Sequence, residues 1–113
     1  MKNVKAIIRP EKLDEVKEAL KAAGIGGITV TEVEGHGSQG GVEQSWRGEK
    51  YQIDLLPKVQ LDIVVPDSAA DKVISTLLKA ARTDSGIGDG KIFVYAIERA
   101  IKIRTGEEGE EIV

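Results

Sequence analysis

Val59-Gln60-Leu61-Asp62-Ile63-Val64-Val65-Pro66-Asp67-Ser68 contains the change of period that decides the fold. Its first part sets Val59, Leu61, Ile63 and Val65 against Gln60, Asp62 and Val64, the pattern of a strand with one buried face. Pro66-Asp67-Ser68 then reads as a helix start, with Asp67 or Ser68 as the expected N-cap. Val73, Ile74, Leu77, Leu78 and Ala81 follow at helical spacing. The same succession opens the chain. Val4-Lys5-Ala6-Ile7-Ile8 alternates as a strand, Pro10 suits a helix entry, and Leu13, Val16, Ala19, Leu20 and Ala23 form an apolar stripe. Gly24 or Gly26 suits the end of that helix.

Between the two units lies Ile28 to Glu34, rich in β-branched residues and expected as a second strand. After the second helix comes Ser85-Gly86-Ile87-Gly88-Asp89-Gly90, a glycine-rich turn, and then Ile92 to Ile97. That run is apolar throughout, which predicts a central strand buried on both faces. The order strand, helix, strand, strand, helix, strand is that of an α+β, ferredoxin-like split βαβ sandwich: an antiparallel sheet with two helices on one face. The other face would expose apolar side chains in a single copy, and association would cover it.

Length and composition agree with one domain over residues 1–113. With 113 residues a second domain would leave neither part a sufficient core. Aromatics make up 4%, so the core is expected to be aliphatic. Nineteen acidic and 16 basic side chains, interspersed, give a net charge of −3 and do not predict a nucleic-acid or membrane-surface binder. The absence of cysteine excludes disulfides, thiolate zinc sites and a cysteine nucleophile, and the single histidine, His36, excludes a paired-histidine metal motif. The apolar run from Ile92 to Ile97 is far too short to span a bilayer, and no secretory leader is recognisable, so a cytoplasmic location is expected.

Two stretches can carry chemistry. From Gly35 to about Gln52 neither helical nor strand period is evident, and loops of that length in compact domains are usually functional or disordered. Gly35-His36-Gly37-Ser38-Gln39-Gly40 matches the spacing of a dinucleotide fingerprint but does not open an apolar helix, which the mechanism of that motif requires. A flexible loop and a backbone anion cradle both remain open for it. Gly86-Ile87-Gly88-Asp89-Gly90-Lys91 leaves a helix and enters a strand, so it is not a Walker loop; it is a tight turn or a phosphate cradle with Lys91 supplying charge. Catalytic patterns are thin: Ser38 and His36 are too close along the chain to indicate a triad. Glu107, Glu108, Glu110 and Glu111 read as a solvated, mobile tail, and Trp46 and Tyr51 as loop packing or partner anchors.

Three separated segments converge on one family. Thr29-Val30-Thr31-Glu32-Val33-Glu34-Gly35-His36-Gly37, then Trp46-Arg47-Gly48-Glu49-Lys50-Tyr51 with Leu56-Pro57-Lys58, then Gly88-Asp89-Gly90-Lys91-Ile92-Phe93-Val94 with Ile103-Arg104-Thr105-Gly106-Glu107 resemble the PII nitrogen-regulatory signal proteins. Ala6-Ile7-Ile8-Arg9-Pro10 and Lys12-Leu13-Asp14-Glu15-Val16 are similar to that family's opening, so the likeness covers nearly the whole chain.

The resemblance implies a homotrimeric sensor, not an enzyme, that binds ATP or ADP between subunits and 2-oxoglutarate through a magnesium ion on ATP. Carried over by position, Gly37, Gly88, Asp89, Gly90 and Lys91 would surround the phosphates. Lys102 and Arg104 would reach them from the neighbouring subunit, and Ile7, Thr29 and Val64 would sit by the adenine. Gln39 would ligate magnesium and touch 2-oxoglutarate, whose carboxylate Lys58 and the backbone of Gly41 would hold. The loop over about residues 36–55 would be the effector arm, 83–91 the phosphate-binding turn and 99–113 a C-terminal segment. Tyr51 falls where some members are uridylylated, whereas Glu49 stands where a cyanobacterial branch carries a phosphorylated serine. Ser38 replaces an arginine that many members place near the terminal phosphate, which bears on ATP-over-ADP preference. Lys102 replaces a common arginine, and Thr83-Asp84-Ser85-Gly86 makes the turn one residue longer than usual. The implied partners are ammonium transporters, glutamine synthetase or its modifying enzymes, or nitrogen regulators, with neither nucleic acid nor membrane insertion. Rival readings are a small ferredoxin-like phosphotransferase or hydrolase built on His36, and a structural trimer without a ligand switch.

Overall fold

The computed structural model describes residues 1–36, 42–46, 49–53 and 55–113, with 42–46 and 49–53 described as backbone. The elements are β1 (Lys2–Ile8), a 3-10 turn (Pro10–Lys12), α1 (Leu13–Ala22), β2 (Thr29–Gly35), β3 (Val42–Trp46), β4 (Glu49–Ile53), β5 (Leu56–Val65), α2 (Asp67–Ala81) and β6 (Gly90–Ala96). A short 3-10 turn, Glu110–Ile112, lies near the C-terminus.

Four strands make one sheet in the order β2-β5-β1-β6, and each neighbouring pair is antiparallel. With α1 joining β1 to β2 and α2 joining β5 to β6, this is the split βαβ arrangement expected from the sequence. Alternation puts Val4, Ala6 and Ile8 of β1 beside Val59, Leu61, Ile63 and Val65 of β5, all buried. Val16 and Leu20 of α1 and Ala70, Val73, Leu77 and Ala81 of α2 close over them in one aliphatic cluster. Burying each of the larger side chains stabilises the fold by about 1.5–3 kcal/mol.

The termini of α1 and α2 are set by different chemistry. Gly24, at φ +84°, ends α1: its N–H donates to the Lys21 carbonyl at 3.0 Å and the Ile25 N–H donates to the Leu20 carbonyl at 2.9 Å. This pairing uses two carbonyls the helix leaves open, and Ile25 packs on the core behind it. At α2 the expected side-chain N-cap is absent. Asp67 is the first helical residue, and its carboxylate pairs with the Met1 ammonium at 3.0 Å and with Lys2 at 3.8 Å. The Asp67 N–H donates to Glu110 Oε1 at 3.3 Å, so the capping acceptor comes from the far end of the chain.

Three further expectations are corrected. The stretch expected to lack strand signal contains an antiparallel ribbon, β3 with β4, in register from Val42 opposite Ile53 to Trp46 opposite Glu49. Its polar composition hid the period, because a two-stranded ribbon buries no continuous apolar face. Strand β6 is an edge strand, and Phe93, Val94 and Tyr95 are exposed in the single chain. Only Ile92 of this apolar run packs against the core, and the rest is part-covered within this copy. The acidic tail is fastened: Arg99 grips Glu108 through two hydrogen bonds of 3.1 and 2.7 Å, and Ile101 bridges to Glu108 across the backbone.

Leu61 of β5, fully buried in the aliphatic cluster, offers a direct check of this core. Leu61→Ala is expected to cost about 2–5 kcal/mol of unfolding free energy in urea. A loss below about 1 kcal/mol would contradict the packing described.

Candidate functional site

The sheet face opposite the helices carries Asn3, Lys5 and Ile7 of β1, Lys58, Gln60, Asp62 and Val64 of β5, and Lys91, Phe93 and Tyr95 of β6. One end of it opens into a cleft of about 420 Å³. Ile7, Phe93 and Lys91 form its sheet wall, Leu56 and Lys58 enter from β5, and Gly35 and His36 stand where β2 ends. The remaining wall is the turn that leads into β6, through Gly86, Gly88, Asp89 and Gly90.

That turn has a shape only this sequence permits. Arg82 leaves α2 in an extended conformation, and Gly86, Gly88 and Gly90 all adopt positive φ, at +68°, +72° and +107°. A Cβ on Gly90 would lie 1.7 Å from the Ile7 carbonyl oxygen, so the residue must be glycine for β6 to begin beside β1. Asp89 points back into the turn. It accepts from the Thr83 N–H at 3.0 Å and from the Thr83 hydroxyl, and Thr83 Oγ1 lies 2.9 Å from Ser85 Oγ. These hydrogen bonds from Thr83, aided by the Arg9 and Arg82 charges, hold the Asp89 carboxyl below its ordinary pKa.

Lys58 links the opposite wall to the turn. Its Nζ donates to the Gly88 carbonyl at 3.1 Å. Burial, with help from the Arg9 charge and against Glu11 and Asp89, pushes its pKa down. An ammonium held this way favours an arriving anion, which would restore its pKa. Across the sheet, burial would raise the Asp62 pKa, but hydrogen bonds from Asn3 (3.0 Å) and Gln60 (3.1 Å) and the Lys5 charge hold it below normal. Asn3 also accepts from the Ile63 N–H at 3.1 Å, which fixes this polar group on the sheet. The arrangement suits an elongated anionic ligand: bare glycine backbone, two lysines and an apolar sheet wall converge on one volume.

Of the residues singled out in the sequence, Ile7, Lys58, Gly88, Asp89, Gly90 and Lys91 meet at this cleft. Thr29 and Val64 do not. Ile7 stands opposite Gln60 and Val64 opposite Asn3, four positions apart along β1, or roughly 13 Å at about 3.3 Å per residue. Thr29 pairs with Asp62, nearer the Val64 end. Lys102 and Arg104 lie on an exposed turn closed by Lys102 N–H to Glu107 O and Gly106 N–H to Lys102 O, both 2.8 Å, outside the cleft wall. Gly37, Ser38, Gln39 and Gly41 lie outside the described residues, and the Tyr51 and Trp46 side chains likewise. Sequence reading placed Arg9 only within an opening motif, because nothing in its local pattern signals that it meets a turn nearly eighty residues away. Among the described residues no group of three or more histidine, cysteine or acidic side chains could hold a metal, and no helix is long and apolar enough to cross a membrane.

Comparison of the sequence with known proteins places it in a family. A family model described as nitrogen regulatory protein P-II matches residues 1–107. The chain belongs to the P-II family. Nitrogen regulatory protein P-II of Rhodobacter capsulatus is 57% identical over 113 residues, covering the whole of both chains. P-II 2 of Methanothermobacter thermautotrophicus is 55% identical over 113 residues, all of this chain and 97% of the relative. P-II 1 of Escherichia coli is 51% identical over the full length of both. The similarity thus spans the sheet, both helices and the P-II turn leading into β6.

Two outcomes test the turn. Gly90→Ala should destabilise the protein by at least about 3 kcal/mol, because the clash is with backbone that cannot step aside. Gly26→Ala, with open space around its Cβ, is the control; equal effects in the two would refute the close approach. The second outcome is acid sensitivity. The Asp62, Asp67, Asp89 and Glu108 pKa values are all lowered in the folded state. Their contribution is therefore complete above the unfolded value of about 4 and lost as pH falls through the folded values. Unfolding free energy should be level above about pH 5 and decline below about pH 4. Asp89→Asn should shallow that decline, and an unchanged acid profile would remove Asp89 from the account.

Proposed function

We propose that this P-II protein senses adenine nucleotide and 2-oxoglutarate and passes the result to proteins of nitrogen metabolism through its long loop, without catalysing a reaction. ATP or ADP would lie in the cleft, its phosphates against Gly37, Gly88, Gly90 and Lys91, with Ser38 near the terminal phosphate. The observation that carries this reading is the convergence of Lys91, Lys58 and the glycine backbone of residues 86–90 on one cleft.

Asp89 takes a role different from phosphate contact, since its carboxylate is engaged with Thr83 and would repel an anion. Magnesium with bound ATP would offset phosphate charge, Gln39 would orient it, and Lys58 with the Gly41 backbone would hold the 2-oxoglutarate carboxylate. Lys58 would then exchange the Gly88 carbonyl for a carboxylate, a stronger charge-assisted partner. The separation of Ile7 from Thr29 and Val64 supports a site shared between copies: one supplies the turn, its neighbour Thr29, Val64, Lys102 and Arg104. A homotrimer that buries the exposed Phe93, Val94 and Tyr95 is the assembly this implies, located in the cytoplasm. The partners would be an ammonium transporter, glutamine synthetase or its modifying enzymes, or a nitrogen regulator, and Tyr51 would be open to uridylylation.

Calorimetric titration with ATP and with ADP, each followed by 2-oxoglutarate with and without magnesium, tests the reading. 2-Oxoglutarate is expected to bind only after ATP and magnesium; binding without nucleotide would overturn the order. Lys91→Ala and Arg104→Ala should each weaken ATP roughly 10- to 100-fold, the loss of one charged hydrogen-bond donor. Gln39→Ala should keep nucleotide and lose 2-oxoglutarate. His36 at the cleft edge favours the rival phosphotransferase or hydrolase; ATP turnover abolished by His36→Ala with nucleotide binding intact would establish that rival.

A further inference from the structure

Arg9 follows β1 directly, and its side chain runs beneath the turn that walls the cleft. The side chain is only 16% exposed. One terminal nitrogen, Nη2, donates to the Ile87 carbonyl and, at 3.3 Å, to Ser85 Oγ. Nε stands 3.6 Å from Asp89 Oδ1, and Nη1 stands 3.6 Å from Glu11 Oε1. Nε is buried and, among the described residues, has no hydrogen-bond acceptor within bonding geometry, so its compensation is the charge of Asp89. Leaving such a group buried is costly unless the carboxylate stays in place. Asp89 is in turn held by Thr83, at the start of the same turn. One guanidinium therefore ties together the end of β1, the crest of the turn at Ser85 and Ile87, and its exit at Asp89. Lysine carries its three donors on a single nitrogen and could not reach partners spread around Nε, Nη1 and Nη2.

We propose that Arg9 is the positioning residue of the phosphate-facing turn: it acts on nucleotide through Ile87 and Asp89, without touching the ligand. This rests on the nucleotide reading above. The turn has three glycines at positive φ and no packed side chain of its own in the core, so backbone preference alone leaves it many conformations. The Arg9–Asp89–Thr83 chain selects one, and the ordering cost is met before a ligand arrives.

The test uses the full-length protein as assembled. Arg9→Gln, Arg9→Lys, Asp89→Asn and the double variant Arg9→Gln/Asp89→Asn are compared by amide hydrogen exchange, thermal unfolding and ATP calorimetry. In Arg9→Gln, exchange is expected to rise within residues 83–91 with β1, β5 and both helices unchanged. ATP affinity should fall roughly tenfold or more, the scale of loss when a binding group is misplaced by its support. Arg9→Lys should recover only part of either effect, and the double variant should lose little more than the worse single one, as members of one linked chain do.

Unchanged exchange over 83–91 overturns the proposal whatever the affinity does, and weakened ATP in that case assigns Arg9 direct contact. Exchange rising throughout the fold, with a lowered Tm, overturns it in favour of a general structural role. Full rescue by Arg9→Lys overturns the fork geometry. If the unaltered protein binds no ATP, the functional reading fails by itself, while the exchange comparison still decides whether Arg9 holds the turn.

Discussion

Gly90 lies so close to the Ile7 carbonyl that a methyl group there would overlap the oxygen, and that approach fixes where β6 starts relative to β1. The register that follows, Ile8 opposite Gly90 and Lys2 opposite Ala96, decides which side chains of β6 share a face with β1. Lys91 and Phe93 then fall on the face of Ile7, while Ile92 and Val94 fall on the helix side. A slip by one position would reverse every assignment and take Lys91 from the cleft. The constraint also reaches backwards along the chain. The distance from the end of α2 to Gly90 must be covered by a turn that passes over the cleft, and three residues of positive φ let it do so.

Electrostatics shifts Asp89 and Lys58, which face each other across the cleft, for different reasons. Asp89 is committed: its lowered pKa follows from Thr83 and the neighbouring arginine charges, and its carboxylate serves the turn. Lys58 has one wall of the cleft as its partner through a neutral carbonyl, and its pKa is depressed. A carbonyl satisfies an ammonium less well than a carboxylate or phosphate does. The two residues therefore respond in opposite directions to an incoming anion, which Asp89 repels and Lys58 attracts.

The strands and helices of the sandwich were legible because each buries a face with its own period. Val59 to Val65 alternates and Val73 to Ala81 recurs at helical spacing, and both reach the core as read. The β3–β4 ribbon was illegible for the converse reason: it does not belong to the four-stranded sheet, and its pairing leaves no apolar stripe in the sequence. Strand β6 misled because an unbroken apolar run carries no information about which cover supplies the burial. Helices supply it for a central strand; for this edge strand the cover within the same copy reaches Ile92 but leaves Phe93, Val94 and Tyr95 exposed. The roles of Asp89 and Arg9 were hidden differently. A local pattern can announce a glycine turn, but the donors that hold Asp89 come from Thr83 and its cation from the end of β1, which only folding brings together.

The placement of the remaining candidate residues bears on how the site is completed. Ile7 and Val64 share one sheet face yet sit roughly 13 Å apart along it, and a sheet cannot bend within that span to bring them to one adenine ring. Lys102 and Arg104 stand on a turn fixed by two backbone hydrogen bonds of 2.8 Å, so they do not swing freely to Lys91. Ile103 between them is fully exposed, as are the outward parts of Phe93 and Tyr95 on β6. Apolar exposure thus coincides with cations that lie outside the cleft of their own copy. The assembly proposed above is one in which the same association would bury the apolar groups and deliver those cations to a neighbour's phosphates. On that arrangement nucleotide affinity and assembly are linked, each stabilising the other by mass action. On that proposal a copy held apart from its neighbours would keep the turn and lose most of the site.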